Sequence, residues 1–582
     1  FFAPPRRSFA PSRKFAAMEQ LDELEAMSRA AEPVEAEPSQ PARKRPRTDA
    51  AAAAAQLLAE AERELETSQV EVVQVDANTM KRMVLSVEKR INENMQLRMK
   101  YADAPERYMD SELALFQELK AMHTLATAPE LYATFVRTRC VPSLLGLLAH
   151  ENADISMDVV DLFHELCEAE DAEPDALLAL VDAMLENGAA AALMQHLGRL
   201  DEAEEEEAAC VHHTLSIFES VLEAKPTAAA DVAQQPGLLA WLLSRLKARA
   251  FHANKLFASE LLAVLLQQNA ANQRFLGEAD GVLALLTAAS HYKRREPVDL
   301  EEAELVENVY NCLCAALGDG ENQARFLRAE GVELMILALK ERRYASRCAL
   351  RVLDAALRAN GANCERLVDI RGFKTLFPLL GAPPPPPPTV KGKAEKAAFA
   401  RQYDESLTSL LATLFHELGA ERRQRLLGKF AEEGMAKLTK LLELHAAYAE
   451  RVADAEAAAL SFRDDGDDDD DDEAADERAY LAALEAGSYT LQCAAVCVGY
   501  VATAKNKELR QCVMRTLYEQ GSSLHAVAAR VGEYLASAAA GPQDAAMQKS
   551  MAAMREALGA LLAKYQPAAA ADAEEPPAAY AS

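Results

Sequence analysis

The sequence predicts an all-α protein, an armadillo/HEAT-type right-handed superhelical solenoid with helical N- and C-terminal caps and disordered tails. Three observations predict it. The composition favours helix: of 582 residues half are hydrophobic, with Ala and Leu abundant, only 23 Gly and a single Trp. The apolar residues recur at helical spacing through most of the chain. And one short pattern, a Gly, an apolar residue and then a Leu-rich amphipathic helix, returns again and again: "NGAAAALMQHLGRL", "QPGLLAWLLSRLKA", "ADGVLALLTAASHY", "AEGVELMILALKER" and "IRGFKTLFPLLG". Its glycines are Gly188, Gly237, Gly281, Gly331 and Gly372, so the steps are 49, 44, 50 and 41 residues. "RCVPSLLGLLAH" fits one unit earlier, with Cys140 in the glycine's place. Periods of about 40 to 47 residues with two or three helices each mark armadillo or HEAT arrays, in which each unit buries its apolar face on its neighbours. The Gly is expected to make the sharp turn between a short helix and the Leu-rich one.

Along the chain, residues 1–67 are Pro, Ala and charge with little to bury, and read as a disordered tail. Its first stretch, "FFAPPRRSFAPSRKF", is basic and free of acid, as organellar transit segments are; a fragment boundary, or a gene-model error with Met18 as the true start, fits equally. Residues 68–135 read as an N-terminal helical cap broken at Pro105 and Pro129, and 136–450 as the armadillo-like repeats, interrupted by a polyproline loop at 381–393. Residues 451–479, with the run Asp467 to Asp472, read as a self-repelling acidic loop. Residues 480–565 then form C-terminal helical repeats or a cap, and 566–582 a loose tail.

The charge narrows the function. A formal net charge of -29 repels a phosphate backbone, so direct nucleic-acid binding is not expected of the body. Basic protein segments are the natural partners. No secretory pattern and no apolar run of membrane-spanning length is visible, since "LQCAAVCVGYVATA" is too short for the ~20 residues a span requires. The ten Cys show no framework spacing and suit reduced core thiols. No phosphate-binding loop, dinucleotide fingerprint, nucleophile elbow or zinc-protease motif occurs, so no enzyme, metal or cofactor is expected. "CVHHTL" and "NCLCAA" are the closest soft-ligand groups. Neighbours at those spacings on a helix point to different faces and belong to core or surface.

A binding role has more support. The helix after each Leu-rich one is expected to line the concave face. In "DISMDVVDLFHEL", Asp154, Asp158, Asp161 and Glu165 fall on one stripe beside Ile155, Val159, Leu162 and Leu166, an acidic ridge. Glu304, Asn308 and Asn311 form a comparable stripe later, and Arg347 and Arg351, with Asp354 and Arg358, a basic one, so the groove is expected to change sign along its length. An extended partner with basic residues at one end would match it. A knot of cations in the N-terminal tail, Arg43, Lys44, Arg45 and Arg47, reads as a nuclear address for an import receptor. A second reading has that segment folding back on Asp154, Asp158 and Asp161.

The stretches "YMDSELALFQELKAMHTLATAPELY", "SLLGLLAHENADISMDVVDLFHEL", "GLLAWLLSRLKARAFHANKLFASELLAVLLQ", "RFLRAEGVELMILALKE", "ALRVLDAAL" and "RGFKTLFPLL" together resemble the beta-catenin-like family of nuclear armadillo proteins. The likeness runs from about Val70 to Leu380 and continues more weakly through "RQRLLGKF", "KLLELH" and "AYLAALEAGSYTLQ". It implies a noncatalytic scaffold of the spliceosome in pre-mRNA splicing, part of a Prp19-type complex. It also implies binding to basic nuclear-localisation-type segments of partners such as the Cdc5-like factor, self-association as a homodimer, and residence in the nucleus. The polyproline loop, the Asp run and the Ala-rich tails depart from that family. The rival reading is an import adaptor of the importin-alpha kind. Such adaptors repeat a Trp and Asn pair in unit after unit, whereas this chain has only Trp241, in a Leu-rich helix.

Overall fold

Asp76 starts the fold by accepting a hydrogen bond from the Thr79 amide at 2.7 Å, an N-cap that satisfies one of the first helix's orphan donors. The computed structural model describes residues 75–169, 171–384, 386, 390–461, 472–539 and 545–565; among these every element is helical. The tail readings for 1–67 and 566–582, the basic cluster Arg43, Lys44, Arg45 and Arg47, and the Asp467 to Asp471 run lie outside the described residues.

The N-terminal cap holds α1 (Ala77–Lys100) and α2 (Met109–Met122), separated by a 3-10 turn that begins at Pro105; another begins at Pro129. Three-helix units follow. They are α3 (Tyr132–Arg137), α4 (Val141–Leu147) and α5 (Ala153–Cys167); α6 (Pro174–Glu186), α7 (Ala189–Leu197) and α8 (Glu205–Ala224); α9 (Ala229–Ala233), α10 (Leu238–Lys247) and α11 (Ala253–Leu266). Next come α12 (Ala270–Glu278), α13 (Gly281–Ser290) and α14 (Leu300–Ala316); α15 (Gly320–Arg328), α16 (Gly331–Glu341) and α17 (Ala345–Leu357); α18 (Gly361–Asp369), α19 (Phe373–Leu376) and α20 (Lys393–Glu417). The third helices α5, α8, α11, α14, α17 and α20 pack one on the next in a continuous layer. The C-terminal part contains α21 (Ala420–Ala431), α22 (Ala436–Ser461), α23 (Asp472–Ala486), α24 (Ser488–Ala502), α25 (Lys507–Glu519), α26 (Leu524–Ala539) and α27 (Ala545–Tyr565), with α24 packed on α20 to extend that layer.

Buried asparagines key the units together. Asn272, Asn322 and Asn363 sit in the first helices of three successive units and are at most 2% exposed. Each donates its amide twice: Asn272 to the carbonyls of Ala229 and Leu265 (3.0 and 2.7 Å), Asn322 to those of Gln273 and Ala316 (2.7 and 2.9 Å), and Asn363 to those of Gln323 and Ala356 (3.4 and 2.8 Å). One acceptor ends the preceding third helix and the other belongs to the preceding unit's first helix, so one amide satisfies two carbonyls that stacking would otherwise strand.

The repeated glycines divide into two kinds. Gly188 and Gly237 are left-handed, with φ of 77° and 93°, and make the sharp turn themselves. At Gly281, Gly331 and Gly372 the left-handed residue is the one before, Asp280, Glu330 and Arg371. There the glycine is required by contact instead: a Cβ at Gly331 would lie 2.5 Å from the Phe326 ring, at Gly281 2.5 Å from Leu276, and at Gly372 2.9 Å from Leu367. Arg139 plays the left-handed part before Cys140.

Two boundaries differ from the sequence reading. Helix α22 runs on to Ser461 and α23 begins at Asp472, so both ends of the stretch 451–479 are helical rather than loop. Alternating Ala and charge after Ala453 propagates the helix more readily than it repels it, because the poly-Asp density begins only past Phe462. Helix α20 likewise begins at Lys393, N-capped at Gly392, at the very end of the stretch read as polyproline loop. All ten cysteines are unpaired and nine are buried. Among the described residues no single helix is long and apolar enough to cross a membrane.

Candidate peptide-binding surface

The predicted acidic ridge lies on α5, and the structure closes most of it. Asn152 caps that helix by accepting from the Asp154 amide, which leaves the Asp154 side chain exposed at the first turn. One turn on, Asp158 is only 2% exposed and is held by Lys120 Nζ at 2.5 Å and His123 Nε2 at 3.4 Å, both from the cap. His123 Nδ1 also meets Glu165 at 2.7 Å. Burial works against charge on this imidazole, but the bonds to Asp158 and Glu165 outweigh it and hold its pKa above the ordinary histidine value. The Lys120 pKa is raised as well, first by its bond to Asp158. Asp161 meets His213 Nδ1 of α8 at 2.7 Å, and the His213 ring stacks on His164 at 4.2 Å between centroids. The stripe is thus mostly an acid and base seam joining α2, α5 and α8. The sequence pattern showed the acids but not their partners, which arrive from 35 or more positions away (His123 to Asp158).

The later stripes are also paired. Asn308 donates to Ser259 Oγ at 3.2 Å, tying α14 to α11, while Asn311 is half-buried and Glu304 exposed. Arg347 and Arg351 both bind Glu307, the latter at 3.5 Å, and Tyr344 donates its hydroxyl to the same carboxylate at 2.8 Å. Arg358 meets Asp354 at 2.8 Å. The expected basic end of the groove is therefore largely neutralised from within, and Glu307 is the residue that does it.

What stays open is a row of glutamates that the sequence reading passed over, Glu219 on α8 and Glu260 on α11, continued by Glu304 on α14. None of the three has a cationic partner among the described residues, and they stand on consecutive members of the third-helix layer. They bear on one another. Burial first, then the charges of Glu304 and Glu219, pushes the Glu260 carboxyl up to about 7. Burial and then Glu223 and Glu168 raise Glu219. A carboxyl perturbed this way, half-buried among like charges and open on one side, favours an arriving cation. A signal existed: Glu219, Glu260 and Glu304 recur at steps of 41 and 44 residues, matching the repeat.

Soft-ligand groups do not converge. His213 is engaged with Asp161, His212 packs its ring on Phe257 at 4.8 Å, and Cys210 and Cys312 are buried. Among the described residues no cluster of three His, Cys, Asp or Glu could hold a metal ion.

A layered array of three-helix units carrying an acidic row is the setting in which relatives become informative. The family described as Catenin-beta-like, Arm-motif containing nuclear matches residues 55–531. The chain belongs to that family. Beta-catenin-like protein 1 of Homo sapiens is 40% identical over 468 residues, 79% of this chain and 82% of that one. Its counterpart in Rattus norvegicus matches to the same extent. The Beta-catenin-like protein 1 homolog of Schizosaccharomyces pombe is 32% identical over 388 residues, 65% of each chain. Membership in this catenin-beta-like family fixes the chain as an armadillo protein of a nuclear family, in agreement with the repeats and their Asn keys.

Proposed function

We propose that this chain is a noncatalytic nuclear scaffold of the spliceosome that holds basic, nuclear-localisation-type segments of partner proteins along its third-helix layer. The partners that fit this reading are the Cdc5-like splicing factor and other members of a Prp19-type complex, with import served by the basic tail at Arg43 to Arg47 and with self-association as a homodimer. The observation that carries it is the row Glu219, Glu260 and Glu304, which has no cationic partner among the described residues. Three carboxylates at repeat spacing suit Lys or Arg side chains on an extended peptide, each charge-assisted bond contributing about 1.5–3 kcal/mol. The importin-alpha alternative is disfavoured by Trp241, which lies on the second helix of its unit with the Arg245 guanidinium stacked at 4.7 Å from its ring.

The test is the affinity of a fluorescent basic peptide for the full chain and for E219Q/E260Q/E304Q, at low and at high salt. The reading requires weaker binding and a shallower salt dependence in the variant. Equal affinity in a folded variant would overturn it.

A further inference from the structure

The loop from α13 to α14 has two halves of opposite character. Its first half carries His291, Lys293, Arg294 and Arg295. Helices α10 and α13 pack side by side, so this half neighbours the end of α10 at Lys247 and the loop after it, which carries Arg249 and leads to Lys255 at the start of α11. Lys255 is only 4% exposed, and among the described residues its ammonium donates to the Ala248 carbonyl at 2.6 Å. Burial, followed by the charges of Lys255, Arg249, Arg295 and Lys293, holds the His291 imidazole below its ordinary range. The carboxylates nearby are occupied: Glu302 accepts from Tyr292, Arg295 and the Val298 amide, Glu202 is paired with Arg245, and Glu341 with Arg294. Among the described residues Lys247, Arg249 and Lys293 have no carboxylate partner. In a chain of net charge -29 this is a local excess of cation.

The second half of the loop mixes apolar residues with two carboxylates that are already engaged, Glu296 with Arg343 and the Tyr344 amide and Asp299 with the Glu302 amide. Pro297, Val298 and Leu300, with Tyr344, Phe399 and Pro384, line an open cavity of about 470 Å³. Val298 is 80% and Leu300 64% exposed. The Pro-rich wall is fixed by Arg342, which donates to the carbonyls of Ala382 and Pro383. Arg347 braces the opposite side, its guanidinium 5.2 Å from the Tyr344 ring and 5.3 Å from Phe399.

A compact dianion would suit cations carried by two adjoining segments, and an apolar side chain attached to it would fill the cavity one step along the same loop. An extended polyanion fits less well, because the surface turns apolar where it would need more cations. We propose that this edge is a second binding site, for a phosphorylated segment of a partner protein, with the phosphoryl group bonded by Arg249, Lys255 and Lys293 and an apolar side chain seated beside Val298 and Leu300. The site is distinct from the glutamate row and takes the opposite charge.

The probes are a fluorescent peptide pool with one fixed phosphoserine and randomised flanks, the same pool dephosphorylated, and an oligo-uridine RNA. Each is titrated into the full chain, into R249E/K293E and into V298D, with folding checked by thermal melting. The phosphorylated pool should bind about tenfold or more tightly than its dephosphorylated form, as removing a doubly charged hydrogen-bonding group demands. Bound peptides should be enriched in bulky apolar residues. R249E/K293E should abolish the phosphate dependence, and V298D only the apolar enrichment. Equal binding of the two pools, or binding of neither, overturns the proposal. So does tighter binding of the RNA that is lost in R249E/K293E, which would make the edge a nucleic-acid surface.

Discussion

Asp158 and Lys120 meet at 2.5 Å across the junction of cap and repeats, with the carboxylate 2% exposed and the ammonium side chain about half in solvent. The contact converts a residue that looked like part of a peptide-binding ridge into part of the joint. D158N should therefore lower stability rather than simply weaken peptide binding, by about 1–3 kcal/mol, since the mostly buried His123 loses a partner for its charge while Lys120 can still reach water. Thermal melting of D158N beside D154N checks this. D154N, at an exposed position, should melt close to the parent chain.

His123 gives the same joint a pH dependence. Its folded pKa is raised above the unfolded value, so its ion pairs contribute fully below the ordinary histidine pKa and are lost as pH rises through the folded one. NMR titration of the His123 ring should give a midpoint above 6.5, and D158N should bring it down.

Glu260 works in the other direction. Its carboxyl is raised to about 7, so the folded state binds the extra proton and stability falls as pH rises from the ordinary glutamate value through about 7. E260Q should be more stable than the parent chain at pH 8, in denaturant titrations, and no more stable at pH 4. Basic peptides should bind more weakly at pH 6 than at pH 8, as the row loses charge.

The two kinds of repeat glycine should respond differently to alanine. At Gly188 nothing lies within 4 Å of an added Cβ, so G188A meets only the left-handed backbone and should cost about 1 kcal/mol. G331A drives a methyl into the Phe326 ring and should cost about 1–3 kcal/mol, the range for overpacking. Denaturant midpoints of the two variants decide it.

Asn322 bonds two backbone carbonyls from different helices. N322A strands both and should cost about 2–4 kcal/mol, with loosened packing of α15 on α12 read out as faster amide exchange in those two helices.

The array was legible in the sequence because stacking requires the same residue types at the same step in every unit, and Gly188 through Gly372 mark that step directly. What the glycines do was only half legible: the turn at Gly188 and the ring contact at Gly331 leave the same letter in the sequence. The helix ends near Ser461 were hidden because local charge density resembles loop while the backbone still favours helix. The candidate site was least legible. A stripe such as Asp154 to Glu165 shows which side chains share a face, but whether a face is open depends on what another element brings to it, here Lys120, His123 and His213. Glu304 was legible on its own stripe, but Glu219 and Glu260 were not joined to it, because they sit on different helices and only the stacking lines them up.

The most direct test of the central claim is to locate a bound basic peptide. A basic peptide carrying a photoreactive group beside its Lys and Arg residues, crosslinked to the full chain and mapped by mass spectrometry, should label the third-helix layer around Glu219, Glu260 and Glu304, and should lose that labelling in E219Q/E260Q/E304Q. Labelling confined to the first repeats around Asp154, or to the outer helices, and unchanged in the variant, would contradict it.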